Sequence, residues 1–307
     1  MERIKTIAAR VLLVLTALLW ALNSMGEAAS IKLTCSAKDT IGNALKKLKP
    51  GDTLLVSGSC SENVEIPVEA ARITLDGQGT ATIKGPDSNT ATIRVTGRGI
   101  TIKGFTITGG LSGIQVSAGG EAVIDGNTIQ GAGRFGIQVN RASSAIIVNN
   151  TVRNNTTNGI TIGGSSVALI GVGTGRDEKA SPNTIENNAE HGITVGRSSS
   201  ARIVQNTIRN NKGNGVNVTR ASQADVSNTT ITGNGGDGIS VTQNSSVSMG
   251  IDIGIPIFDL ANITASNNSG VGVRCTLNSS VDGRLGSLKG SKAAKEFDPS
   301  CTDSMKP

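Results

Sequence analysis

Tyrosine is missing from this chain of 307 residues, tryptophan and histidine occur once each, and four phenylalanines complete the aromatic set. Neutral sugars are usually held by stacking on Trp or Tyr, so this scarcity argues against a site for cellulose-like or starch-like chains. The longest apolar run, Val11 to Leu22, has twelve residues. A bilayer span needs roughly 20. No nucleophilic triad, thiolate metal site or phosphate loop stands out, and no cofactor is expected. Calcium finds little support: the only adjacent acidic pair is Asp177-Glu178, and that ion prefers about six or more oxygens.

The apolar run follows Arg3, Lys5 and Arg10 and precedes Ser24, Gly26, Ala28 and Ala29. That order reads as a cleaved secretory leader over residues 1–29, with Trp20 inside it. The leader holds three basic and two acidic residues, so its loss takes the net charge from +6 to +5. Such a balance suits an anionic partner such as an acidic polysaccharide. Nucleic acid is not expected outside the cell. Cys35, Cys60, Cys275 and Cys301 lie in two pairs at opposite ends, with none between. Local disulfides, 35 to 60 and 275 to 301, are expected in an oxidising compartment.

Glycine followed by Ile or Val recurs at Gly113, Gly136, Gly159, Gly192, Gly215, Gly238 and Gly270, at spacings of 23, 23, 33, 23, 23 and 32 residues. A fixed period with occasional insertions is the signature of a solenoid. Leucine-rich horseshoes share this period, but between Gly113 and Val273 only Leu169 and Leu260 occur. Each period holds three short alternating segments, for example Ile193 to Val195, Ala201 to Val204 and Thr207-Ile208, which predict three parallel sheets. Ile129, Val152, Ile185, Ile208 and Ile231 form an expected inward column. Asn127, Asn150, Asn183 and Asn206 form one corner ladder, and Asn155, Asn188, Asn211 and Asn234 another. Before the repeats, Asp39 to Leu48 reads as a short capping helix closed by Pro50-Gly51.

This pattern, with the segment from Ile41 through Lys49-Pro50-Gly51-Asp52-Thr53 to Glu62-Asn63-Val64, resembles the right-handed parallel β-helix of the pectin-lyase-like superfamily over roughly residues 50 to 285. The resemblance implies an all-β fold. Residues 30–60 would form the N-terminal cap and first strand, 61–285 the β-helix and 286–307 a C-terminal cap. It leaves activity open, because the superfamily hosts lyases, hydrolases, epimerases and adhesins. Glu190-His191-Gly192-Ile193 is similar to the Gly-His-Gly-Ile signature of polygalacturonases. Yet Asn158-Gly159 stands where that family has paired aspartates, and Asn127-Thr128-Ile129 and Arg202-Ile203-Val204 replace its other motifs. His191 is therefore a weak catalytic candidate. Its column otherwise holds Ser112, Phe135, Asn158, Asn214, Asp237 and Ser269, which reads as a turn position where replacement by Ala should cost little.

Alignment of periods also stacks charges. Asp76, Lys103 and Asp125 alternate, as do Arg153, Glu186 and Arg209, and Arg202 with Asp225. Such pairs favour register without implying catalysis. One column does not compensate itself: Arg141, Gly164, Arg197, Arg220 and Gln243. The insertions Gly171 to Ser181 and Met249 to Leu260 are expected walls of a groove. The expectation is an exported monomer, periplasmic, cell-surface or extracellular, that binds an acidic polysaccharide through Arg141, Arg197 and Arg220 without catalysis. The alternatives are a lyase or glycoside hydrolase acting on polyuronate, with Arg197 as base or His191 in an auxiliary role, and a ligand-free envelope scaffold.

Overall fold

A computed structural model describes residues 28–173, 181–250, 263–284 and 286–306. Most of the expected leader and the bodies of both insertions lie outside these residues. Twelve strands, from Ser30–Thr34 to Thr302–Lys306, form a first sheet. Ten from Ser59–Ser61 to Ser287–Gly290 form a second, and ten from Val64–Ile66 to Lys295–Phe297 a third. The pairings are parallel, and each coil visits the sheets in the order third, first, second. The result is a parallel β-solenoid with rungs ~4.8 Å apart. Among the described residues no helix is long and apolar enough to cross a membrane.

The inward columns are apolar as the period requires. Ile185 pairs with Ile208 and both are fully buried. Each such side chain contributes about 1.5–3 kcal/mol of transfer free energy, and β-branched residues fit the pleat with little rotamer loss. The repeating glycine is enforced by close approach: a Cβ on Gly159 would lie 2.5 Å from Ile185 Cγ2 and 2.8 Å from the Gly192 oxygen.

Polar ladders close the corners. Asn127, Asn150, Asn183 and Asn206 pass side-chain amides from rung to rung at 2.9–3.1 Å between the first and second sheets. Asn155, Asn188, Asn211 and Asn234 do the same between the second and third, and Asn268 extends that file. A serine ladder not anticipated from the sequence closes the remaining corner. There Ser143, Ser166, Ser199, Ser222 and Ser245 each donate a backbone N–H to the next hydroxyl, ending at Ser279.

Three sequence expectations change. The last repeating pair is Gly272-Val273 rather than Gly270-Val271, because Ile239 pairs with Val273 and Asn234 with Asn268. Two Gly-Val pairs in tandem left the sequence degenerate, and Val271 rather than Ser269 joins the His191 column. The capping helix α1 spans Ile41–Leu45, shorter than expected. Thr40 caps it, the Glu62 carboxylate accepts from the Ile41 and Gly42 N–H groups, and Lys47 and Leu48 close in tighter turns. Residues 287–306 add a further strand to each sheet. The disulfides are Cys35–Cys60 and Cys275–Cys301, as expected.

Candidate functional site

The outer face of the third sheet carries a groove of about 620 Å³. Its floor comes from outward strand positions, Gln138, Thr161, Thr194 and Asn217 in consecutive rungs. Arg134, Thr157, Glu190 and His191 border the side where chains enter the strands. Arg141, Gly164, Arg197, Arg220 and Gln243 border the side where they leave. Arg141, Arg197, Arg220 and His191, singled out separately in the sequence, thus line a single groove. The link was legible in principle, since His191 and Arg197 flank the single strand Ile193–Gly196.

The arginine wall is built by the turn into the first sheet. Arg141, Arg197 and Arg220 adopt left-handed backbone, with φ of 57–58°. Backbone bonds stack these turns: Ala142 N donates to the Gly164 oxygen, Ser165 N to Arg197, Ser198 N to Arg220 and Ala221 N to Gln243, at 2.8–3.0 Å. Arg197 and Arg220 are therefore rung neighbours. All three arginines are exposed, and among the described residues no ion pair or hydrogen bond engages their guanidinium groups. The alternating columns behave otherwise: Lys103 pairs with Asp76 at 3.2 Å and Arg209 with Glu186 at 2.7 Å. Glu190 is the single carboxylate among the lining residues, which also include Arg134, held over the Phe135 ring at 4.6 Å. Asn140 Oδ1 and Thr194 Oγ1, buried without hydrogen-bond partners among the described residues, sit in the same wall and floor.

His191 belongs to a ladder of acceptors. The His191 N–H donates to Asn158 Oδ1, and its Nδ1 in turn accepts from Asn214 N at 2.9 Å. Asn214 Oδ1 accepts from Asp237 N, and Asp237 Oδ1 from Val271 N. Nδ1 replaces an amide oxygen, so the neutral ring carries its proton on Nε2. Burial lowers its pKa, and Glu190 opposes that shift. The column does not tolerate every residue freely; it rewards side chains that accept.

Among the described residues the soft metal donors are dispersed. All four cysteines are in disulfides. Met249 is fully buried inside the first sheet, two rungs from Met305 and on a different sheet from His191. The only cluster of possible ligands among the described residues is Cys35, Cys60 and Glu62. Its sulfurs are bonded to each other, and Glu62 caps α1. Both insertions depart between first-sheet and second-sheet strands: Ser181 N closes the neck of one on the Gly171 oxygen, and the other follows Met249. The groove-wall role expected of them falls on segments outside the described residues, and their points of departure are on another corner.

Residues 62–249 match the family described as periplasmic copper-binding protein (NosD). The chain belongs to the NosD family. That description agrees with the exported location read from the leader and with the two disulfides. No curated protein matches the NosD-family chain in sequence. Among solved structures it is similar to pectate lyase Pel9A, with 14% identity, 90% of this chain and 82% of that one covered, and a TM-score of 0.56. This likeness establishes a shared parallel β-helix fold. Lower similarity extends to the periplasmic alginate epimerase AlgG, with 14% identity, 91% and 68% covered and a TM-score of 0.43. An alginate lyase from Paenibacillus sp. str. FPU-7 gives 17%, 91% and 98%, and 0.42.

Proposed function

We propose that this NosD-family solenoid binds an acidic polysaccharide in the third-sheet groove and does not cleave it. The observation that carries the reading is the file of exposed guanidinium groups at Arg141, Arg197 and Arg220, without a partner among the described residues, beside a floor of uncharged amides and hydroxyls. Guanidinium matches carboxylate in bidentate geometry, and the floor supplies partners for sugar hydroxyls.

The groove is poorly equipped for chemistry on such a chain. Inverting hydrolysis uses two carboxyl groups across the bond; here Glu190 stands by itself. Elimination with Arg197 as base would also need clustered carboxylates to hold calcium, which one glutamate does not supply, and the unprotonated nitrogen of His191 is turned to the Asn214 N–H. Copper, which the family description names, is served no better. Among the described residues, one histidine, two methionines and disulfide-bonded cysteines do not converge on a shared centre, and no step is assigned to it.

The test is a binding screen of the exported form against polygalacturonate, alginate and neutral glycans. Polyuronate binding is expected to fall at least about tenfold in the Arg197→Ala, Arg220→Ala double variant and to weaken with salt, each charge contact being screened. Unchanged binding in that variant overturns the groove assignment. Release of unsaturated or reducing sugar overturns the non-catalytic part.

A further inference from the structure

We infer that the groove reads its ligand in an extended form along the solenoid axis, over four rungs, with a gap in charge at the second. This deepens the acidic-glycan reading and rests on it.

The outward file of the third sheet runs Glu65, Arg94, Gln115, Gln138, Thr161, Thr194, Asn217, Ser240, Arg274 and Glu296. Both ends are closed by ion pairs. Arg94 meets Glu65 at 3.5 Å, and Arg274 is held by Asp237 at 2.7 Å and by Glu296. Six uncharged rungs lie between, and the cationic wall accompanies four of them: Arg141 beside Gln138, Gly164 beside Thr161, Arg197 beside Thr194 and Arg220 beside Asn217. The flanking wall positions, Ala118 and Gln243, are uncharged. A point anion would need one such rung. A polyanion extended along the axis meets cations at rungs one, three and four, spanning about 14 Å at ~4.8 Å per rung.

The second rung is open for a structural reason. Gly163 and Gly164 supply no side chain there, and Gly196 none just inside Arg197. The ligand can approach the backbone at this point. Gly164 has φ of 63°, the left-handed conformation its arginine neighbours already adopt, so an arginine there takes the same backbone at the stability cost those neighbours bear. Its Cβ would lie 3.1 Å from Arg141 N, a contact relieved by a shift of a few tenths of an ångström.

The experiment measures affinity for oligogalacturonates of two to eight residues at fixed ionic strength, with wild type, Gly164→Arg and Thr161→Asp. Wild-type affinity is expected to rise by at least tenfold from dimer to tetramer and to level off by the hexamer. Gly164→Arg should tighten tetramer binding three- to tenfold, and Thr161→Asp should weaken it by a similar factor. Circular dichroism melts verify that each variant folds. A dimer that binds as tightly as the hexamer, with dependence on Arg197 and Arg220 intact, overturns the four-rung reading and leaves the groove assignment standing. Absence of binding to oligomers and polyuronate alike overturns both.

Discussion

His191 Nδ1 accepts the backbone N–H of Asn214 at 2.9 Å, in the place where the preceding and following coils put a side-chain amide oxygen. The single histidine is thereby a structural acceptor whose other nitrogen stays protonated. A test separates the two roles. His191→Ala should lose about 1 kcal/mol, because the partly buried Asn214 N–H loses its partner. His191→Asn should recover most of that loss through its amide oxygen. Equal urea midpoints for wild type and His191→Ala would dispose of the acceptor role.

Burial of the same ring makes stability depend on pH. Burial depresses the His191 pKa in the folded chain, whereas unfolded histidine titrates near ~6.5. Below that value the unfolded chain binds a proton that the folded chain refuses, so stability fully present above about pH 6.5 is lost as pH falls through the folded pKa. Wild type should lose more stability than His191→Asn between pH 7 and about pH 5. Parallel pH profiles of the urea midpoint would contradict this.

Asn183 should be among the most costly single replacements. It is fully buried; its oxygen accepts from both the backbone and side chain of Asn150, and its amide donates to the Ile147 oxygen and Asn206 Oδ1. Asn183→Ala strands these groups without water and should cost about 2–4 kcal/mol. Asn183→Thr should cost less, since Thr229 already serves the same file, accepting from Asn206 N. Chemical denaturation that ranks the two variants in the reverse order would refute the ladder's role.

Arg220→Gly should stabilise the fold while weakening binding. The position has φ of 58° and lies one rung from Arg197. Glycine removes both the left-handed penalty and a positive charge one rung from Arg197, for a gain of about 1 kcal/mol. A higher melting temperature together with weaker polyuronate binding is expected. A lower melting temperature would show that the guanidinium has a stabilising partner.

The solenoid was legible because Gly159 and its equivalents are fixed by contact with the inner isoleucines, which imposes one residue type at one interval. The stacked Arg197 and Arg220 follow from that interval alone. Where two Gly-Val pairs stand in tandem, at Gly270 and Gly272, spacing could not choose, and the register is fixed by the pairing of Ile239 with Val273 and the bond from Asn234 to Asn268. The serine ladder escaped notice because serine is common in the turns and its signature is geometric, a hydroxyl aligned with the next backbone N–H. The acceptor role of His191 was hidden for the same reason: a column of Phe, Asn, His and Asp looks permissive until Nδ1 and Oδ1 are seen to occupy equivalent places.

Serine and asparagine files run unbroken past both borders of the groove, while in the coils between Gly113 and Val273 the chain lengthens after Gly171 and after Met249, at the corner between the first and second sheets. That corner is therefore a port. A fluorescent reporter or affinity handle spliced there would ride on the solenoid's far side, giving a tethered sensor whose ligand track is left untouched.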